Sequence, residues 1–132
     1  KRPEERMEKL RASLLADAFL MSTNAITLDG ELLNIDGNGN RVAALCFGPK
    51  CVIVLAGMNK VAADLHAAYA RVKADACVPN AVRFHAGTPC EKTGVCRDCV
   101  GPDCLCGQIV VTRNCKIPGR IHVILIDEAL GF

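Results

Sequence analysis

Five cysteines, Cys90, Cys96, Cys99, Cys104 and Cys106, crowd into seventeen residues of this chain, and four of them read as C-x5-C-x2-C-x6-C. A thiolate is the soft ligand that zinc and iron–sulfur centres select, and a Cys-x2-Cys turn lets backbone amides point at the sulfurs. The spacing therefore nominates Cys90, Cys96, Cys99 and Cys106 as a four-thiolate metal site. It does not separate zinc from an iron–sulfur cluster, since both accept four thiolates. Cys104 is an alternative partner within the same stretch, and free thiols or disulfides formed on purification are the plain alternative. His85 stands alone beside the stretch and reads as a solvated side chain rather than a ligand.

What surrounds these thiols supports the metal reading independently. Residues 83–107 carry few aliphatic side chains and no usable periodicity, while Thr88-Pro89, Thr93-Gly94 and Gly101-Pro102 are loop residues. Unsupported loops longer than ~15 residues are uncommon in compact domains, so something must hold this one. Metal binding contributes ~10 to 16 kcal/mol of folding free energy in small zinc peptides. A metal would serve as the core that the loop lacks.

A second group of residues could meet an anion. Asp36-Gly37-Asn38-Gly39-Asn40-Arg41 sets two glycines before a helix start, a turn able to aim backbone amides at a phosphate or carboxylate, with Arg41 adding charge. The glycines answer equally to a tight turn that needs positive φ. Thr23 and Asn24 end an apolar run, Ala18 to Met21, that reads as a buried strand; there they would face the crevice where open α/β sheets bind ligands, or merely cap. Asp17, Asp127 and Glu128 read as turn or cap groups. His66 and His122 permit no chemical assignment, and no Ser-His-Asp or Cys-His arrangement is present. Cys46, Cys51, Cys77 and Cys115 lie in or next to apolar patterns, where a free cysteine packs as a small hydrophobe.

The elements that must position these groups alternate. Met7, Leu10, Leu14 and Ala18 recur at helical spacing from Pro3 to Ala16, giving an amphipathic helix that runs into the strand at Ala18 to Met21, expected to be buried on both faces. Ile26 to Leu28 and Glu31 to Ile35 flank Asp29-Gly30, which suits a two-residue hairpin turn. Val42 to Leu45 predicts a helix with Asn38 or Asn40 as N-cap; Cys51 to Ala56 predicts a buried strand; Val61, Leu65, Ala68 and Val72 predict another helix. Gln108 to Thr112 and Arg120 to Ile126 supply two more strands around a turn at Pro118-Gly119. This is the alternation of an α/β layer fold that a cysteine loop interrupts.

Composition excludes several classes. With 132 residues and 51% hydrophobic content the chain fits one domain with a real core. A net charge of +2 without a basic run, and only four Phe and one Tyr, leave no nucleic-acid footprint. No apolar run approaches the ~18 residues of a spanning helix, so no membrane segment is expected. Nine cysteines is an odd number, and they sit beside strongly patterned elements, which favours thiolate ligands in a reducing cytoplasm over a secreted disulfide scaffold. The chain opens at Lys1 directly into a helical pattern and reads as a piece of something longer.

Several long motifs, in order, resemble the LUD domain family, which includes the lactate utilisation protein C group. They are residues 17–27 from Asp17 to Thr27, residues 34–44 from Asn34 to Ala44, Phe47-Gly48-Pro49-Lys50, the run from Thr88 through Cys90 and Cys96 to Cys99, and Gly119-Arg120-Ile121 with Val123 to Ile126. The resemblance covers nearly the whole chain and is to the cysteine-bearing branch of the family. It implies a three-layer α/β/α fold similar to the NagB/RpiA/CoA-transferase group, as a single domain over residues 1–132, N-terminally incomplete, with the cysteine-rich loop 83–107 inserted. Exposed strand edge and apolar surface would then favour a homo-oligomer. It implies metal-type cysteines at Cys90, Cys96, Cys99 and Cys106, whereas Cys104 departs from the family pattern. It also implies a ligand pocket at Thr23, Asn24, Asp36, Gly37, Gly39, Asn40 and Arg41, with Asn59 as an outlying member, and no catalytic residue.

The function so implied is an accessory protein of lactate or related organic-acid oxidation that binds a small anionic metabolite and a thiolate-held centre, iron–sulfur or zinc. Its partners would be iron–sulfur or oxidoreductase proteins. Two alternatives are an enzyme acting on a phosphorylated or CoA-linked metabolite, argued from fold alone, and a redox or metal sensor in which the loop orders and disorders.

Overall fold

A computed structural model describes residues 2–132. The fold is mixed α/β, with a parallel sheet and a mixed sheet flanked by helices, consistent with a three-layer α/β/α arrangement. Helix α1 (Pro3–Ala12) leads into β1 (Ala18–Met21), and β2 (Ala25–Thr27) and β3 (Leu32–Asp36) form a hairpin. Helix α2 (Asn40–Phe47), β4 (Cys51–Gly57) and the short β5 (Val61–Ala62) follow. Next, α3 (Leu65–Arg71) continues through a π-helical stretch, Val72–Cys77, into α4 (Val78–Phe84). The cysteine stretch holds one short helix, α5 (Pro89–Thr93), before β6 (Gln108–Thr112) and β7 (Ile121–Ile126).

Strands β1, β4 and β7 make the parallel sheet, with Leu20 opposite Ile53 and Ile53 opposite His122. The mixed sheet runs β5-β2-β3-β6. Alternation along β3 sends Leu32 to a core shared with Met21, Leu45, Val52 and Val54, while Leu33 and Ile35 pack on Ala68, Val72, Ala76 and Cys77. Strand β3 is buried from Leu32 to Ile35 because both of its faces are covered.

Four expectations need correcting. The hairpin loop has three residues, not two: Thr27 N donates to Glu31 O at 2.9 Å, and Gly30, at φ 85°, takes the left-handed position that closes such a loop. Neither Asn38 nor Asn40 caps α2; Gly39 stands at the cap with φ 81°, and the Asp36 carboxylate takes the first-turn amides instead. Strand β1 is covered on one face only, because Leu20 points away from the core and is 64% exposed. Helix α1 ends at Ala12 rather than Ala16 and buries no side chain fully, Leu10 and Leu14 of its apolar stripe being half-buried.

The π-helical stretch has a cause in the sequence. Pro79 has no N–H to offer the carbonyl of Asp75, and its ring would clash there in a regular α-helix. Widening the preceding turn relieves that clash and lets the helix continue to Phe84.

Candidate metal centre and the adjoining polar network

The cysteine stretch is anchored at both ends. Thr88 caps α5, its hydroxyl accepting from Glu91 N at 3.4 Å, and Glu91 reaches back to accept from Gly87 N at 2.6 Å. Gly94 ends α5 at φ 69°. At the far end Gly107 lies against the Gly37 carbonyl so closely that a β-carbon there would stand 2.6 Å from the oxygen. Across the middle, Lys73 of the π-helical stretch pairs with Asp98 and lies 4.5 Å over the Tyr69 ring. The Asp98 bond raises the Lys73 ammonium above its ordinary range.

Between this stretch and the helical layer lies a cavity of about 240 Å³ whose wall includes six cysteines: Cys77, Cys90, Cys96, Cys99, Cys104 and Cys106. All four cysteines nominated by spacing are therefore brought to one space. Cys104 joins them, and so does Cys77, which the sequence pattern assigned to core packing. Lys73 and Arg97 line the same cavity, against the single carboxylate of Asp98. Among the described residues no three His, Cys, Asp or Glu side chains are already gathered to hold one ion. The sulfurs ring a space and do not converge on a point.

Contacts between the thiols are graded. Cys106 Sγ donates to Cys77 Sγ at 3.5 Å. That bond pulls the Cys77 thiol below its ordinary range and holds the Cys106 proton well above it. Cys104 Sγ accepts from Cys106 N at 3.4 Å, and its thiol is the main reason Cys99 is pushed up to about 11. Cys90, buried in the wall, sits 3.1 Å from the Thr88 hydroxyl. His85 is exposed, 3.8 Å from Glu91, and does not line the cavity. Of the remaining thiols, Cys46 is exposed and Cys51 and Cys115 are half-buried, so the expected core role holds for none of these three.

The residues nominated for an anion also assemble, but mostly around one another. Arg41 donates to Ser22 O (3.0 Å), Asn34 Oδ1 (2.7 Å), Asn24 Oδ1 (3.0 Å) and Ile35 O (3.0 Å), and its Nε lies 3.6 Å from Asp36. Burial lowers the Arg41 pKa, partly offset by the Asp36 charge. Asp36 Oδ2 accepts from Arg41 N and Val42 N at 3.0 and 3.4 Å, so the chain's own carboxylate meets the helix amides that an anion would have met. Thr23 Oγ1 is spent on Ala25 O and Leu33 O. Gly37 and Gly39 admit the returning loop: β-carbons there would lie 3.3 Å from Leu105 O and 3.4 Å from the Gln108 side chain. Asn40 opens α2, while Asn59 sits apart and holds Leu130 and Gly131.

Two members of this network escaped the sequence reading. Lys60, buried, donates from Nζ to Ser22 Oγ at 2.9 Å, and Arg71 donates to Asn24 O and Asn59 O. The amide Nδ2 of buried Asn34 has no hydrogen-bond partner among the described residues. A small cavity of about 40 Å³ links Asn24 and Ile35 to Cys77 and Cys106, so the polar network and the thiol cavity adjoin. No single residue signalled this, since the contacts cross from β1 and β3 to α3.

No helix among the described residues is long and apolar enough to cross a membrane. Neither a curated protein nor a solved structure matches the chain significantly. The family model of the LUD domain matches residues 1–126, nearly the full length, and the motifs it spans include both the polar network and the cysteine stretch; the chain belongs to the LUD domain family.

Proposed function

We propose that this chain is a cytoplasmic accessory protein of lactate or related organic-acid utilisation, holding a thiolate-bound centre through the cysteines of residues 83–107. The observation that carries the reading is the cavity of about 240 Å³ walled by six cysteines, all of them free thiols. A water needs only ~10 to 15 Å³ by the same measure, so the space exceeds that of one ion by an order of magnitude. An iron–sulfur centre suits it better than a single zinc. Its thiolates would carry net negative charge, which Lys73 and Arg97 on the wall offset.

When bound, such a centre supplies one-electron transfer to an iron–sulfur or oxidoreductase partner. The chain's residues hold it: Cys90 from the buried end of α5, Cys96 and Cys99 from the Cys-x2-Cys turn, Cys106 from the leg fastened by Gly107. The small anionic ligand belongs to the same proposal, taken at the crevice of Thr23, Asn24, Asp36, Gly37, Gly39, Asn40 and Arg41. Its support is the excess of cations there, Arg41, Lys60 and Arg71, together with the unpartnered Asn34 amide. Of the nominated residues only Asn24 reaches the adjoining cavity of about 40 Å³, which is too small for a CoA ester. An apolar face on the parallel sheet, described below, supports self-association.

The test is anaerobic reconstitution of the full chain with iron and sulfide, followed by elemental analysis and visible spectroscopy. Stoichiometric iron and sulfide with sulfur-to-iron absorption is the expected result. One zinc on a colourless chain would make the centre a structural knot, and a chain retaining neither metal would overturn the reading.

A further inference from the structure

Cys77 belongs to the helical layer, thirteen residues before Cys90, the first cysteine of the motif, yet its sulfur faces the loop's cavity. It is buried at 8% exposure and stands 3.5 Å from Cys106 Sγ. Two thiolates sharing a tetrahedral metal at ~2.3 Å each stand about 3.8 Å apart, so this pair is at ligand spacing without any chain movement. The bland alternative is that Cys77 is a small hydrophobe packed with Val72 and Ala76. Its surroundings on the other side argue for more. Every fourth residue from α3 to α4, Tyr69, Lys73, Cys77 and Ala81, lines the cavity, and the wide turn before Pro79 keeps that row on one wall. π-Helical turns of this kind recur at functional sites.

We infer that Cys77 is one of the four thiolate ligands of the centre, paired with Cys106 and displacing one of Cys90, Cys96 and Cys99, so that the bound group is fastened to the helical layer as well as to the loop; the inference rests on the thiolate-centre reading above. The consequence is an order of assembly. Cys106 is already set, because Gly107 seats its leg against Gly37 and Cys77 stands opposite. The other flank is more open: Val100 is 100% exposed and Cys96 and Cys99 are half-buried, so closing onto a bound group falls to their turn. Cys77 thus provides the rigid half of the site.

The experiment uses the full chain, metal-free and reduced, loaded with Cd2+ as the cadmium-113 isotope and observed by NMR. Scalar coupling from cadmium to the Cys77 β-protons, alongside Cys106, is the expected result. Coupling confined to loop cysteines overturns the inference and leaves the loop centre standing. In parallel, Cys77→Ser and the exposed-thiol control Cys46→Ser are reconstituted with iron and sulfide. Cys77→Ser is expected to retain less than half of the wild-type iron at unchanged circular dichroism, with Cys46→Ser at the wild-type level. Equal iron and an identical spectrum in Cys77→Ser would also overturn it. If the wild-type chain takes neither cadmium nor iron, the thiolate-centre reading itself falls; if Cys77→Ser does not fold, the wild-type cadmium couplings decide alone.

Discussion

Lys60 is buried at 5% exposure, and among the described residues no carboxylate pairs with it. Burial first, then the charges of Arg71 and Arg41, push its pKa below the ordinary 10.5. A lysine whose pKa is lowered on folding destabilises the fold wherever both states are charged, and that penalty disappears once pH exceeds the unfolded value. Lys60→Met should therefore be more stable than wild type at neutral pH, by on the order of 1 kcal/mol after the lost Ser22 hydrogen bond is counted. The advantage should shrink as pH rises from the lowered pKa toward 10.5. Urea midpoints measured across that window check it; a constant gap would contradict the assignment. At this scale the loop cysteines were legible, because ligands in one irregular stretch announce themselves by type and spacing. Cys77 was not: it sits in an apolar pattern, and only the fold reveals which side its sulfur faces.

Elements were read well where pattern and turn chemistry agreed. The Asp29-Gly30 hairpin, β4 and the two late strands lie where alternation and punctuation put them. The capping of α2 was misread because its first amides are met by Asp36, four residues before the helix, and its other end from afar. Asp36 takes its first amides, and at the other end buried Arg120, from the start of β7, donates to Ala44 O (2.8 Å), Leu45 O (2.6 Å) and Pro49 O (3.0 Å). Leu45 O would otherwise be orphaned at the negative end of the helix dipole, whereas Ala44 O also accepts from Gly48 N at 3.1 Å. Arg120→Met should cost roughly 3 to 5 kcal/mol, since several charge-assisted bonds vanish and buried acceptors lose their donor. Arg120→Lys should recover only part of this, lacking the planar fork. Thermal or urea unfolding measures both, and a methionine variant within ~1 kcal/mol of wild type would show that the helix end is satisfied some other way.

Across the whole molecule, one face of the parallel sheet is covered over β1 and β4 only, because Val123 and Leu125 on the same side of β7 are 40% and 47% exposed. On the other, Leu20, Ile53, Leu55 and Ile124 form an apolar row, Leu20 and Ile124 being 64% and 47% exposed. Hydrophobic packing supports the core around β3, whereas the cysteine stretch leans on few apolar contacts and on the Lys73–Asp98 pair. Loading the centre should thus stabilise the chain mainly through the stretch that packing leaves loose. With free metal at about a hundred times Kd the gain is about 2.7 kcal/mol, roughly 10 °C in midpoint for a chain of this size. Trypsin sites at Lys92 and Arg97, both exposed, should be cut in chelator-treated protein and protected after loading. Identical digestion and melting with and without metal would argue against any ordering role for the centre.

Composition, periodicity and cysteine spacing determined the α/β class, most strands and helices and four of the six cysteines, because these depend on residue type and on separations of a few positions, while the order of several long motifs carried the family resemblance. Tertiary structure alone decided that Cys77 and Cys104 share the cavity, that Arg41 clamps its own chain, and that Lys60 and Arg71 complete a cationic network. Most of those meetings join residues 17 to 47 positions apart. Their geometry depends on how β3 and the widened helix before Pro79 pack, and no local pattern encodes that.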